Sequence, residues 1–176
     1  MRGIRYSPMG LRWREPCFFG SASAMKRLRG VLASWDDTPY QHGQQVKKVG
    51  VDCSRLIAAV LDEMYRAPTK TALPEFPADG SMHDRAGAFR ALRFFLDHYP
   101  SHTDEVLDGW CEPGDVIVVG PVDGGPGHGM IVGVDPNTVW HSPGPGGRVC
   151  FTGLALPEKY QRLFAVYRMS DRENWA

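Results

Sequence analysis

The stretch Val51-Asp52-Cys53-Ser54-Arg55-Leu56-Ile57-Ala58-Ala59-Val60-Leu61-Asp62-Glu63-Met64-Tyr65 carries the clearest structural signal in this 176-residue chain. Leu56, Ile57, Val60, Leu61 and Met64 fall on one face of a 3.6-residue period, which predicts a helix from about Asp52 to Tyr65. Pro68 ends the pattern. Cys53 then occupies the first helical turn, where unpaired N–H groups and the positive end of the helix dipole favour a thiolate, the reactive form of cysteine. The same N–H groups can hold an oxyanion during acyl transfer. The competing reading of Cys53 is a small buried core residue, the usual fate of a lone cysteine.

Outward from this helix the chain divides by period. Upstream, Met25, Leu28, Val31, Leu32 and Trp35 recur at helical spacing and predict a helix over Ser21–Trp35, weakened at Gly30 by about 1 kcal/mol. Residues 1–20 show no period and read as an irregular basic arm. Arg2, Arg5, Arg12, Arg14, Lys26, Arg27 and Arg29 oppose the single acid Glu15 in the first thirty residues. Such an arm is either a solvated terminus or a contact for an acidic partner. Thr38 to Gly50 reads as a polar loop. Downstream, residues 66–86 form a Pro-rich connection, and Phe89, Leu92, Phe95, Leu96 and Tyr99 mark a second amphipathic helix.

After Pro113-Gly114 the period changes to that of strands: Val116–Val119, Met130–Val134, Thr138–Trp140, Val149–Phe151 and Phe164–Met169, separated by Gly- and Pro-rich turns. Helices first and a strand meander second predict an α+β fold. Residues 21–176 are expected as one domain, with N-terminal helices packed on an antiparallel sheet of about five strands.

Bulk composition narrows the classes. Hydrophobic residues make up 43% and charged residues 23%, an ordinary globular balance. Net formal charge is zero, so no global pull toward nucleic acid is implied. No run approaches the roughly 18 apolar residues of a membrane span. Arg12, Arg14 and Glu15 interrupt any signal-peptide pattern, so the chain is expected to be made in the cytoplasm without a signal of its own. Cys17, Cys53, Cys111 and Cys150 include no C-x-x-C pair, which argues against a zinc knuckle or a thioredoxin-type motif; all four are expected reduced, with no metal and no cofactor.

A cysteine nucleophile needs a base, and the base needs an orienting group. His128 stands where a strand begins after a Gly-rich loop, and His141 stands at the end of the next strand. A hairpin between those strands brings both imidazoles to one end of the sheet. His128 can then serve Cys53 while His141 holds its far nitrogen. Taken singly, each histidine also reads as a surface loop residue. His42, His83, His98 and His102 have no comparable placement.

Five blocks in order resemble the NlpC-type papain-like cysteine peptidases. Asp52-Cys53-Ser54-Arg55-Leu56 resembles the D-C-S-G-L block of their nucleophile helix, and Thr38-Pro39-Tyr40-Gln41-His42-Gly43 their P-Y-x-x-G-G segment. Glu112-Pro113-Gly114-Asp115-Val116 resembles P-G-D-L, Gly127-His128-Gly129-Met130-Ile131-Val132 the H-V-G-I-Y strand, and Trp140-His141-Ser142 the I-H-A segment. The resemblance implies a Cys53–His128–His141 triad. Tyr40 and Ser54 would help place the substrate or its oxyanion. It implies hydrolysis of amide bonds in peptidoglycan stem peptides. Arg55, Gln44 and Gly129-Met130 depart from the family pattern, and bulk beside the nucleophile could narrow the cleft. The loop Gln41–Gly50 and the strand Leu163–Met169 look most like the branch encoded with phage tails, which implies tail-tip proteins as partners and the virion as destination. Two alternatives stand beside it: an amidase of the CHAP type, which closes its triad with Glu, Asp or Asn, and a structural tail component that keeps the fold without the activity.

Overall fold

The computed structural model describes residues 11–17, 21–65, 103–105, 109–120, 127–154, 162–169 and 172–175. Two helices are described. Helix α1 spans Ser21–Trp35 and buries Ala24, Leu28, Leu32 and Trp35 along one stripe. Helix α2 spans Cys53–Met64 and buries nearly every residue from Ser54 to Leu61. A helix buried along most of its length belongs within a core, and α2 packs with α1 and with Val116, Val118 and Ile131 of the sheet. Glu63 of α2 ties the two helices, accepting from the Trp35 indole at 2.8 Å and pairing with Lys47 at 2.5 Å. The expected helix around Phe89–Tyr99 lies outside the described residues. No described helix is long and apolar enough to cross a membrane.

The first short strand is β1 (Arg12–Trp13). A two-residue hairpin pair, β2 (Gln45–Val46) and β3 (Gly50–Val51), interrupts the expected polar loop. The remaining strands are β4 (Thr103–Glu105), β5 (Trp110–Cys111), β6 (Val116–Gly120), β7 (His128–Val132), β8 (Thr138–His141), β9 (Cys150–Gly153) and β10 (Arg162–Met169). The main sheet has six strands in the order β4-β10-β6-β7-β8-β9, all antiparallel. The five expected strands are all present in it. The sixth, β4, pairs only with β10 at an edge; three residues of Thr-Asp-Glu carry no apolar period to read.

Both faces of the sheet are covered, which is why β6 is apolar at every position from Val116 to Val119. Val116, Val118 and Ile131 pack under the helices. Ile117, Val119, Met130 and Val132 pack into a second cluster with Val139, Leu154, Val166, Cys111 and Leu11. Each such side chain contributes about 1.5–3 kcal/mol by leaving water. Leu11 belongs to residues 1–20, read from sequence as an irregular arm. Within that arm Leu11 is buried, and Arg12–Trp13 pairs in parallel with Trp110–Cys111. The Trp13 side chain packs on the second cluster. Too few residues form this strand for a period to show.

The Pro113-Gly114-Asp115 turn has a structural explanation of its own. Gly114 has φ +87, and a Cβ there would fall 2.5 Å from the Trp175 ring, so only glycine fits. Asp115 is fully buried and accepts from the Glu112 N–H at 2.8 Å and from two Arg168 nitrogens at 3.0 and 2.7 Å. Arg172, in the 3-10 turn Arg172–Trp175, and Arg14 both pair with Glu112, at 2.7 and 2.6 Å. Burial pushes the Glu112 carboxyl up, but Arg172, Arg14 and Arg168 together hold it below its ordinary range. At Asp115 burial wins and the carboxyl is raised in spite of Arg168. This cluster joins the β5–β6 turn, the last strand and the N-terminal segment.

Replacing Arg168 by Met should therefore leave Asp115 a buried carboxylate without its bidentate partner. A loss of about 3–5 kcal/mol in urea unfolding is expected; a loss below about 1 kcal/mol would show that the cluster is not what closes the sheet. By contrast, Gly30 is exposed within α1 and a Cβ there meets nothing within 4 Å. Gly30→Ala should stabilise the protein by about 1 kcal/mol, read as a higher denaturation midpoint.

Candidate active site

Asp52 builds the front of α2. It is the N-cap, with extended backbone, and its Oδ1 accepts from the Arg55 N–H and the Ser54 hydroxyl, both at 2.9 Å. Its Oδ2 accepts from the Gly43 N–H at 2.9 Å, with the Arg55 guanidinium 3.8 Å away and the His42 ring 3.9 Å away. Gly43 takes the left-handed φ of +77 that presents this N–H. The carboxylate thus pins the loop before the helix to the helix itself.

Cys53 follows the cap directly. Part of its surface remains open to solvent, and the backbone N–H groups of Gly129, Ser54 and Cys53 itself act on the thiol in the direction that favours its ionised form. The Gly129 contact comes from the end of a ladder. β7 and β8 last pair at Ile131–Trp140, and Gly133 still donates to Thr138 at 2.8 Å. Gly129 has the parity of Gly133, so its N–H is directed to the β8 side, but it lies beyond the last pair. Ser142, the residue after β8, donates its hydroxyl to the Val51 carbonyl at 3.0 Å.

Packed protein around the sulfur dominates its acidity. Burial, helped by the Asp52 charge, raises the Cys53 thiol to about 11, and the converging amides only moderate the rise. The expectation that the helix N-terminus alone would favour the thiolate is therefore corrected for this resting arrangement. Desolvation outweighs the dipole, and the capping carboxylate that organises the turn is itself a repelling charge.

The two predicted histidines meet. His128 opens β7, His141 closes β8, and His128 Nε2 lies 2.8 Å from His141 Nδ1 with the rings edge to face. Both are buried, 6% and 5% exposed, so the contact is shielded from water. Cys53 is brought next to this pair along the strand, since Gly129 follows His128. Along β7 Ile131 faces the helices and Met130 the second cluster, so alternation puts Gly129 on the α2 side and His128 on Met130's side.

Tyr40 is half-buried and runs parallel to Val51, two residues before Cys53, with its N–H donating to the Gly147 carbonyl at 2.9 Å. The Ser54 hydroxyl is committed to the Asp52 cap, so what Ser54 offers at the sulfur is its backbone N–H. Gly129 and Ser142 were missed from sequence. The first acts through its backbone, and the second could have been suspected only as the polar residue directly after His141. Arg55, the bulky departure in the nucleophile block, is 8% exposed and lies against Asp52. Among the described residues no group of three or more His, Cys, Asp or Glu is placed to hold a metal ion.

No protein-family model and no curated protein matches the sequence. Solved structures do match in fold. An NlpC/P60 family protein from Bacillus cereus is 16% identical, with a TM-score of 0.57 over 82% of this chain and 40% of its own. The NlpC/p60 domain of the peptidoglycan hydrolase SagA is 17% identical, with a TM-score of 0.50 over 82% of this chain and 97% of its own. A lipoprotein-like NLP/P60 family protein from Staphylococcus aureus is 18% identical, with a TM-score of 0.53 over 88% of this chain and 43% of its own. The chain therefore spans under half the length of the first and third proteins and nearly all of the SagA domain. It has the fold of NlpC/P60 proteins.

Thiol reactivity tests the electrostatics of the site. With Cys53 raised to about 11, its iodoacetamide labelling should be slow near neutral pH and climb about tenfold per pH unit, while exposed Cys17 labels first. Mass-spectrometric mapping between pH 6 and pH 10 reads this directly. Preferential labelling of Cys53 at pH 6 would instead show that an imidazole has already taken its proton.

Proposed function

We propose that the protein is a cysteine peptidase or amidase that hydrolyses amide bonds in peptidoglycan stem peptides through a Cys53 acyl-enzyme. The observation that carries this reading is the convergence at one sheet end: a cysteine in the first turn of a buried helix, three backbone N–H groups around its sulfur, and a buried imidazole pair beginning one residue away. The named activity of SagA, peptidoglycan hydrolase, agrees with it.

In this reading the raised thiol gives its proton to His128 when substrate closes the site. The thiolate attacks the scissile carbonyl carbon, and the Cys53 and Gly129 N–H groups receive the developing oxyanion. The proton then passes from His128 to the leaving amine as the C–N bond breaks. Water, deprotonated by His128, attacks the thioester, and the acid product leaves as Cys53 recovers its proton. His141 orients His128, and Tyr40 lies where it can border the substrate. The third position is filled by an imidazole at 2.8 Å. That favours the NlpC-type reading over a CHAP-type amidase, which would place a carboxylate or carboxamide there. Delivery as part of a phage tail, with tail-tip partners and a virion location, is the finer part of the proposal and rests on the sequence of the Gln41–Gly50 loop and the closing strand. One observation favours the second reading, an inactive structural component: burial and the Asp52 charge push the Cys53 thiol up to about 11.

Cys53→Ala should abolish release of stem-peptide fragments from purified peptidoglycan while leaving the circular dichroism spectrum intact. His128→Ala should be as severe, and His141→Ala should cost about 10–100-fold. Wild-type protein that is folded yet inert on several wall chemotypes would sink the enzyme reading and leave the structural one.

A further inference from the structure

The Val51 carbonyl is a meeting point of three segments. It accepts from the Gln41 N–H at 3.2 Å and from the Ser142 hydroxyl at 3.0 Å. Val51 is itself tied down: its N–H donates to the Pro39 carbonyl at 3.0 Å, and it pairs with Gln45 in the β2–β3 hairpin. Each segment leads straight to a site residue. Gln41 follows Tyr40, Ser142 follows His141, and Val51 stands two residues before Cys53. Ser142 and Val51 are both fully buried, so water does not compete for the bond between them.

The backbone does not need this bond to be satisfied. The Gln41 N–H already gives the Val51 carbonyl a partner, and an alanine at position 142 would leave no buried donor behind. What the hydroxyl adds is a link across 91 positions of sequence. It holds the end of β8, where His141 pairs with Cys150, against the peptide that enters Asp52 and the helix. Asp52 fixes where α2 begins relative to its own loop, and the Ser142 bond fixes it relative to the histidine strand. A shift of about 1 Å in the geometry of reacting groups can lower a rate by about 100-fold.

We propose that Ser142 is a positioning residue: its hydroxyl, bonded to the Val51 carbonyl, holds the His128–His141 pair in place relative to Cys53. The consequence for catalysis rests on the cysteine-hydrolase reading; the mechanical link does not. Ser142 takes no part in proton transfer, and its hydrogen stays on its oxygen throughout. Its loss therefore acts on the attack step and not on the binding of substrate, which is a loss in kcat with KM held.

The test uses the full chain and compares Ser142→Ala, which removes the hydroxyl, with Ser142→Thr, which restores it. For Ser142→Ala, kcat on stem peptides should fall about 10–100-fold with KM within about twofold of wild type, and Ser142→Thr should recover most of the loss. Ser142→Cys, close to Ser in size with a weaker donor, should fall between the two and serves where the Thr methyl does not fit the buried position. Amide hydrogen exchange reads the link without activity. In Ser142→Ala, exchange at the Gln41 N–H should rise about 2–10-fold more than at the Val132 N–H, which donates to the Asp115 carbonyl and reports opening of the sheet. An unchanged kcat, a loss carried by KM alone, or a rise at Gln41 no greater than that at Val132 overturns the proposal. A selective rise at Gln41 in a protein whose wild type hydrolyses nothing supports the link and removes the enzyme reading, so the two fail separately.

Discussion

Asp52 is a single buried carboxylate on which the geometry of the front of the molecule depends. Its two oxygens accept from Arg55 and Ser54 in the first turn of α2 and from Gly43 in the preceding loop. An N-cap of this kind contributes about 1 kcal/mol to the helix. Its larger effect is geometric, since it fixes where the helix begins and hence where Cys53 stands relative to β7. The same carboxylate repels a thiolate at the next residue. The fold therefore fixes where the sulfur stands while burial and the Asp52 charge push its thiol up.

The second constraint is a sheet with both faces buried. β6 and β7 are sealed on one side by α1 and α2 and on the other by the cluster that includes Leu11, Cys111 and Leu154. In such a sheet alternation decides chemistry. One residue of β7, Gly129, presents a backbone N–H to Cys53, and the preceding residue, His128, turns its ring toward His141. The site is shared between a sheet end and the two faces beside it, and the Asp115–Arg168–Glu112 cluster at the other end of β6 holds that sheet together.

Much of the fold was legible because its signals are local. The period of α2 and its Asp52 cap lie in fifteen consecutive letters, and the helix ends where Tyr65 and Pro68 say it should. α1 is found over the residues its stripe indicated. The five apolar strands announce themselves by β-branched runs. What escaped is whatever depends on partners far along the chain: the polar edge strand β4, the parallel pairing of Arg12–Trp13 with Trp110–Cys111, and the β2–β3 hairpin inside a polar loop.

The candidate site divides in the same way. The sequence by itself determined that a cysteine opens a helix and that two histidines flank one hairpin, because helix and hairpin are short-range structures that residue type and spacing encode. Only the tertiary structure decided that the two imidazoles touch at 2.8 Å. It alone decided that the backbone N–H of Gly129 in β7 acts on the Cys53 thiol. It also reversed the expected acidity of Cys53. A helix dipole can be read from a turn of sequence, but the loss of water around a sulfur is the sum of everything that packs against it, and that sum exists only once the chain has folded.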